Sequence, residues 1–191
     1  MTSDLTDAYF ESDAHAHMHS SLLPILDKVI LRHLISGEGG GRIFDLGCGA
    51  GFIANHLSSR YEVVGIDPSL AAVQFANIRY PNLQIKQGSA YDDLAGIYGN
   101  FDVVISLEVV EHVADPRCYA KAVYNLLRPG GLAIISTPYH GYIKNCALAL
   151  SGKMDGHFTA LWDGGHIKFW SVKTLTELLR EAGPVKSLGL G

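Results

Sequence analysis

Residues 43–51 read Ile43-Phe44-Asp45-Leu46-Gly47-Cys48-Gly49-Ala50-Gly51, an apolar run that leads into a glycine-rich segment. The run predicts a buried β-strand, and the glycines predict a turn into a following helix. In a parallel α/β sheet, such a turn exposes backbone N–H groups near the point where the strand order reverses, and ligands bind there. The segment therefore predicts an α/β fold with a ligand site at the end of its first strand.

Short β-branched runs alternate with helical patterns along the rest of the chain. Strands are predicted at 42–46, 62–66, 83–87, 101–106 and 131–136. Helices are predicted at 20–35, 51–59, 69–78, 116–127, 143–150 and 171–182, the last with Ser171 as its N-cap. The strands are almost continuously apolar, which suits strands covered by helices on both faces. The pattern predicts a doubly wound, mainly parallel sheet.

The chain length of 191 residues fits one domain. We expect residues 1–40 to form an N-terminal helical cap and residues 41–191 to form the main domain. Residues 137–170, after the fifth strand, are rich in glycine, histidine and aromatic residues, and we interpret them as a lid insertion over the site. Their aromatic side chains suit either the walls of an acceptor pocket or a small satellite core.

Composition narrows the class of protein. The sequence has 48% hydrophobic and 18% charged residues, and no apolar run is long enough to span a bilayer. The first residues lack the features of a signal peptide, so a cytoplasmic location is expected. A net charge of -4 gives no general attraction for nucleic acid, which makes such a partner unlikely. The three cysteines have no C-x-x-C spacing and predict no thiolate zinc site.

Two aspartates indicate the kind of ligand. The glycines have a G-x-G-x-G spacing rather than the G-x-G-x-x-G of dinucleotide-binding proteins, and Asp45 stands just before them. A carboxylate at this position disfavours a pyrophosphate but suits a cationic ligand. Asp67, twenty-two positions later at the end of the second strand, is placed to accept hydrogen bonds from ribose hydroxyls. A cationic nucleoside is therefore predicted, and a nicotinamide-dependent dehydrogenase is disfavoured.

Four motifs occur along the chain in a fixed order. They are Phe44-Asp45-Leu46-Gly47-Cys48-Gly49-Ala50-Gly51, Val63-Val64-Gly65-Ile66-Asp67-Pro68-Ser69, Phe101-Asp102-Val103-Val104-Ile105-Ser106 and Leu127-Arg128-Pro129-Gly130-Gly131. Together they resemble the motifs of class I S-adenosylmethionine-dependent methyltransferases. The resemblance implies a Rossmann-like sheet and a methyl-donor site. The donor-binding residues that we expect are Asp45, Gly47, Cys48, Gly49, Asp67, Pro68, Ser89, Ala90 and Leu107.

The resemblance also assigns parts of the donor to these residues. It implies that Asp45, Gly47 and Gly49 surround the methionine portion and that Asp67 binds the ribose. The segment around Ser89 and Ala90 would meet the adenine. Many relatives carry an acid where Ser89 stands, so the adenine amine would here bind the backbone or the hydroxyl of Ser89.

A cluster of ionisable residues comes directly after the fourth strand. Glu108, Glu111 and His112 are predicted catalytic residues, because carboxylates and an imidazole at this sheet edge could act as a general base or hold Mg2+. The cluster resembles those of ubiquinone-biosynthesis O-methyltransferases and of small-RNA 3'-terminal 2'-O-methyltransferases. The second resemblance implies His166 as a fourth metal ligand. The alternative is a cluster that serves packing and helix capping and binds no metal.

The function expected from these observations is methyl transfer to an oxygen of a small-molecule acceptor. Two alternatives remain open, namely a metal-dependent RNA 2'-O-methyltransferase and a regulatory module that binds the donor without turnover. The end of the chain differs from the resembled family, since after Gly183 there is room for only one short strand. An open sheet edge could pair with another chain, so a homodimer is a further hypothesis.

Overall fold

The computed structural model of the chain describes residues 13–35, 41–139, 141–158 and 165–184, with side chains from residue 22 onward. Thirteen regular elements lie in these ranges. The strands are β1 (Arg42–Leu46), β2 (Glu62–Asp67), β3 (Gln84–Gln87), β4 (Phe101–Leu107) and β5 (Leu127–Ser136). The helices are α1 (Asp13–Ile35), α2 (Phe52–Ser58), α3 (Leu70–Arg79), α4 (Leu94–Tyr98), α5 (Pro116–Leu126), α6 (Tyr142–Leu150), α7 (Met154–His157) and α8 (Val172–Ala182).

The five strands form one parallel sheet in the order β3-β2-β1-β4-β5. The chain moves outward from β1 to β3 and then crosses back to β4, so the order reverses between β1 and β4. Both strands end at this switch point, where Leu46 and Leu107 are their last residues. The predicted doubly wound parallel sheet is confirmed.

Apolar side chains fill both faces of the sheet, because successive residues of each strand point to opposite sides. On one face Phe44 and Val104 pack with residues of α5 and α8, among them Tyr119 and Leu178. On the other face the core joins the remaining strand residues to α1, α2 and α3; its members include Ile43, Val103, Leu26, Ile30, Ile53 and Val73. Helices on both faces explain why the strands are almost uninterrupted apolar runs.

Polar contacts attach α1 to this second face. Asp27 of α1 accepts hydrogen bonds from His56 Nε2 at 3.0 Å and from Arg60 at 2.5 Å. Beside them, Leu26 and Ile30 are buried against the sheet. The helical part of the predicted N-terminal cap is therefore packed on the main domain, while residues 1–12 and 36–40 lie outside the described residues.

Most predicted boundaries agree with the structure within one or two residues, and the starts of α1 and β5 are the exceptions. Helix α1 begins at Asp13, seven residues before the predicted start at residue 20. Strand β5 begins at Leu127 rather than at 131, because Leu127 pairs with Phe101 before the register jumps to Val103 opposite Leu132. The jump leaves residues 128–131 of β5 opposite Asp102 alone, and the guanidinium of Arg128 is paired with the buried carboxylate of Asp102. Two short helices, α4 and α7, were not predicted.

The 137–170 insertion is described only in part. Helix α6 has no buried residue, and Ile143 and Leu150 are 89% and 84% exposed. The lid role of this segment therefore stays a prediction. Residues 159–164 and the sixth strand expected after Gly183 lie outside the described residues. Among the helices that are described, none is long and apolar enough to cross a membrane.

Candidate active site

The glycine loop, residues 47–51, connects β1 to α2 and lies against the end of β2. The backbone N–H groups of Gly47 and Cys48 both donate to the carbonyl of Ile66 at 2.9 Å. Gly47 and Gly49 have φ values of 80° and 51°, which glycine adopts without strain. Within the described part of the chain, no atom outside the neighbouring residues lies within 4 Å of the position that a Gly49 side chain would take. The loop therefore presents bare backbone to open space, as a binding loop requires.

Asp45 is buried at the base of this loop, where it is 3% exposed, and its Oδ2 has no hydrogen-bond partner within the described residues. Burial raises the pKa of Asp45 to about 7, and the nearby charge of Asp67 adds to the rise. A buried carboxylate with an unused oxygen is costly unless a cation or a donor group approaches it. This position fits the positively charged ligand that the sequence predicts.

Asp67 ends β2 beside the glycine loop. Its Oδ2 accepts the N–H of Gly49, and its Oδ1 accepts the N–H of Ser69, each at 2.8 Å. Its backbone carbonyl accepts the N–H of Gly88, which brings the end of β3 alongside. The three strand ends therefore form one continuous surface. The thiol of Cys48 lies close to the two aspartates, and burial together with their charges raises its pKa, so the neutral thiol persists.

The Ser89 segment forms a tight turn after β3. The N–H of Ser89 donates to the carboxylate of Asp92 at 2.7 Å, and its hydroxyl accepts the N–H of Tyr91 at 3.2 Å. Ala90 packs against the first core face. An acid, Asp92, lies three residues after Ser89 in this turn, and its carboxylate is engaged by the Ser89 N–H.

Glu108 comes directly after β4 and has a φ of 57°, a left-handed backbone conformation. Its N–H donates to the carbonyl of Ser136 at 3.1 Å and contacts the Ser136 hydroxyl at 3.2 Å. The same hydroxyl donates to Glu108 Oε1 at 2.7 Å. Ser136 was not predicted, although its place at the end of β5, opposite the end of β4, could have indicated it.

Glu111 is almost completely buried, and neither of its carboxylate oxygens has a hydrogen-bond partner within the described residues. Burial raises the pKa of Glu111 to about 7, and the charge of Glu108 adds to the rise. The backbone carbonyl of Glu111 accepts the N–H groups of Ile167 and Lys168, both at 3.0 Å. The loop after β4 is thereby joined to the segment that carries His166.

His112 and His166 complete the cluster. Their rings meet edge to face with centroids 4.9 Å apart, and His166 Nε2 lies 4.0 Å from Glu111 Oε1. Burial and the neighbouring His112 ring lower the pKa of His166, so its imidazole is neutral at neutral pH. One ligand atom from each of Glu111, His112 and His166 lies within 4.8 Å of the others, which is close enough to hold a metal ion. The structure thus brings three of the four predicted residues together, and Glu108 lies outside this group.

The glycine loop and the cluster are in direct contact. Val109, which lies between Glu108 and Val110, packs so closely on Gly47 that a Cβ at Gly47 would collide with its side chain. A ligand on the glycine loop therefore lies next to groups that can accept a proton or a cation.

Other predicted residues lie around this centre. Leu107, the last residue of β4, packs partly buried against the second core face, and the carbonyl of Pro68 accepts a hydrogen bond from the Gln87 side chain at 3.1 Å. Sequence reasoning also missed Thr137, whose hydroxyl partly offsets the rise in the pKa of Glu111, although the two side chains form no hydrogen bond of good geometry. The sequence gives no sign of this proximity, because it arises from the fold and not from spacing along the chain.

Comparison with known proteins identifies the family. The model of a methyltransferase domain family matches residues 15–184. Two curated relatives, from Ruegeria pomeroyi and from a Cereibacter sphaeroides strain, are named ubiquinone biosynthesis O-methyltransferase. They are 38% and 34% identical to this chain over 75% and 79% of its length. The matched region covers 60% and 64% of those relatives, so the chain spans less than two thirds of their length.

Solved structures show the same fold. An S-adenosylmethionine-dependent methyltransferase from Thermotoga maritima is similar with a TM-score of 0.57 and 20% identity, over 87% of this chain and 80% of that one. The YcgJ protein from Bacillus subtilis is similar with a TM-score of 0.60 and 21% identity, over 74% and 61%. The family match extends over most of the sequence and includes the glycine loop and the cluster after β4. This chain belongs to the methyltransferase domain family.

Proposed function

We propose that this chain transfers a methyl group from S-adenosylmethionine to an oxygen atom of a small-molecule acceptor. The observation that carries the proposal is the contact between two parts of the site, the glycine loop with Asp45 and Asp67, and the cluster of Glu108, Glu111, His112 and His166. The names of the curated relatives favour oxygen as the acceptor atom.

The glycine loop suits the donor in charge and in shape. Asp45 is a buried carboxylate with an unused oxygen, and the donor carries positive charge on its sulfonium and its amino group. Asp67 has both oxygens at the surface of the loop, where each can accept a ribose hydroxyl in addition to its backbone contact. Open space at Gly49 allows the ligand to approach the main chain.

The cluster suits an acceptor that must lose a proton. When bound, the donor supplies a methyl group, whose carbon forms a bond to the acceptor oxygen as its bond to sulfur breaks, leaving S-adenosylhomocysteine. The hydroxyl proton of the acceptor passes to a base. His112 is exposed, and its Nδ1 lies 3.3 Å from the carbonyl of Gly165. If Nδ1 carries the hydrogen, Nε2 is free to accept the proton.

The first experiment is calorimetry with S-adenosylhomocysteine, followed by turnover of S-adenosylmethionine with catechol and protocatechuate and detection of methylated product by mass spectrometry. Donor binding and product formation are expected. Glu111→Gln and His112→Ala should each lower kcat by roughly 10²- to 10⁴-fold and leave donor affinity unchanged. Glu177→Gln, an exposed glutamate on α8, is the matched control. A folded protein that binds no donor would contradict the proposal.

A bound divalent ion is a second part of the proposal. Glu111, His112 and His166 offer one carboxylate and two imidazoles, and the two unpartnered oxygens of Glu111 favour an ion at this place. Such a ligand set suits Mn2+, Fe2+ or Zn2+ better than Mg2+, which prefers oxygen ligands. Glu108 would be the second carboxylate of a Mg2+ site, but its Oε1 is bonded to Ser136. A bound ion would favour the deprotonated acceptor oxygen, and His112 would then serve as its ligand and not as the base.

Titration of the chelator-treated protein with Mn2+, Zn2+ and Mg2+, each alone, tests this part. We expect Mn2+ or Zn2+ to bind more tightly than Mg2+ and His166→Ala to abolish the binding. Equal heats in wild type and His166→Ala would contradict a metal at this cluster. If chelation leaves the rate of methyl transfer unchanged, the reaction needs no ion. The proposed roles of the donor site and of the acceptor site would then still hold.

The homodimer also stays a proposal. β5 is the last strand of the sheet within the described residues, and its far edge carries unpaired backbone groups there. Such an edge can pair with a second copy of the chain. Sedimentation velocity over a range of concentrations tests this, and a single monomeric species at high concentration would contradict it.

A further inference from the structure

We infer that Ser136 is a positioning residue of the proposed methyl-transfer site, because it holds the backbone of Glu108 in a left-handed conformation and fixes the direction of its carboxylate. The inference rests on the proposed function. Ser136 lies at the end of β5, next to β4, and is not proposed to contact the acceptor. It determines where the carboxylate of Glu108 points.

Glu108 has an unfavourable backbone conformation. It is the one non-glycine residue with a positive φ in the part of the chain that the structure describes. A side chain in this conformation is crowded by the following carbonyl oxygen, so the conformation persists only where the surroundings impose it. Strain of this kind is concentrated at functional sites.

Ser136 provides the contacts that impose the conformation. It lies opposite Leu107 in the parallel pairing of β4 and β5, so its carbonyl and hydroxyl both face the first residue after β4. The Glu108 N–H lies 3.1 Å from the Ser136 carbonyl and 3.2 Å from its hydroxyl oxygen. The hydroxyl in turn donates to Glu108 Oε1 at 2.7 Å. The carbonyl and the hydroxyl of Ser136 thereby hold the main chain of Glu108, and the hydroxyl alone also holds its side chain.

The conformation of Glu108 also sets the path of the next three residues. The left-handed residue turns the chain so that Val109 packs on Gly47 and Glu111 is buried as a member of the cluster. The carboxylate of Glu108 stays outside the group formed by Glu111, His112 and His166, but its negative charge still acts on His166 and Glu111. Ser136 therefore keeps one carboxylate available to the acceptor at the border with the donor loop.

A matched pair of substitutions separates the hydroxyl from the volume of the side chain. Ser136→Thr keeps the hydroxyl and adds a methyl group. Ser136→Val introduces a side chain of nearly the same shape as threonine but without the hydroxyl. Ser136→Ala is a second variant without the hydroxyl, in case the larger residues do not fit. Ser106→Ala is the control for stability, since it removes a buried hydroxyl that donates to the Leu46 carbonyl at 2.8 Å and does not touch Glu108.

Turnover of protocatechuate, S-adenosylhomocysteine affinity and amide hydrogen exchange at Glu108 are measured for each variant. Relative to Ser136→Thr, we expect kcat of Ser136→Val to fall by about 10- to 100-fold, with donor affinity within about twofold. Ser136→Ala should resemble Ser136→Val, and Ser106→Ala should lose stability but keep kcat. Exchange of the Glu108 amide should be faster in Ser136→Val than in Ser136→Thr.

Equal kcat and equal Glu108 exchange in the threonine and valine variants would overturn the inference. A loss of kcat in Ser106→Ala as large as in Ser136→Ala would do the same, because the effect would then reflect stability. If wild type transfers no methyl group, the proposed function fails, and the exchange comparison alone decides whether Ser136 holds Glu108.

Discussion

The backbone N–H of Gly49 donates to Oδ2 of Asp67 over 2.8 Å, which joins the glycine loop after β1 to the acid that ends β2. The second oxygen, Oδ1, accepts the N–H of Ser69 ahead of α3. A carboxylate can accept about four hydrogen bonds, so these two contacts leave capacity for a ligand. Asp67 therefore both shapes the loop and faces the space where a nucleoside would lie.

Replacement of Asp67 tests its role toward the ribose. Asp67→Ala is expected to weaken S-adenosylhomocysteine binding by about 100-fold, because hydrogen bonds to a charged group contribute roughly 1.5–3 kcal/mol each. Asp67→Asn, which keeps one acceptor oxygen, should lose less. Calorimetry measures both. Asp93→Ala is the control, since Asp93 caps α4 by accepting the Gly96 N–H and lies outside the loop. A similar loss of affinity in Asp93→Ala would show a general effect of stability.

The sequence predicted those parts of the site that depend on local pattern. The run before Gly47 predicted β1, and the spacing of Asp45 and Asp67 predicted two acids at neighbouring strand ends, because parallel strands end at one edge. The contact between Glu108 and Ser136 was predictable only in part. The place of Ser136 at the end of β5 indicates that it lies near the end of β4, but the contact itself depends on the exact register of the two strands and on one backbone angle, which have no signature in the residues themselves.

The pKa of Asp45 predicts how stability depends on pH. Burial and Asp67 raise it to about 7 in the folded chain, compared with an ordinary value of 3.8. The stabilisation from the neutral carboxyl is therefore complete below about pH 4 and is lost as the pH rises through 7. Asp45→Asn cannot ionise, so it should be more stable than wild type at about pH 8, by on the order of a few kcal/mol. The difference should shrink toward about pH 4.

Urea unfolding of wild type and Asp45→Asn without donor, between about pH 4 and pH 8, measures this difference. Asp155→Asn is a suitable control, since Asp155 is exposed in α7 and its replacement should leave the pH dependence unchanged. If the two curves for wild type and Asp45→Asn run parallel, the pKa of Asp45 is not raised in the folded chain.

Alanine at two positions of the glycine loop separates crowding from backbone strain. Both Gly47 and Gly49 have positive φ, but a Cβ at Gly47 would collide with Val109, whereas the space at Gly49 is open. Gly49→Ala should cost about 1–2 kcal/mol of unfolding free energy, and Gly47→Ala should cost about 1–3 kcal/mol more. Val109→Ala should recover part of the loss in Gly47→Ala, which a double-mutant cycle measures. Additive costs would mean that the two side chains do not interact.

Glycine and alanine at position 108 test the backbone strain independently of catalysis. Both substitutions remove the carboxylate and its bond from Ser136, so they differ only in their preference for the left-handed conformation. Glycine adopts a φ of 57° freely, and a Cβ makes it costly by about 1–2 kcal/mol. Glu108→Gly should therefore be more stable than Glu108→Ala by about 1 kcal/mol, despite the greater flexibility that glycine gives to the unfolded chain. Chemical unfolding at one pH measures the difference. Greater stability of Glu108→Ala would show that this residue is not held in the left-handed region, and the positioning role inferred for Ser136 would lose its structural basis.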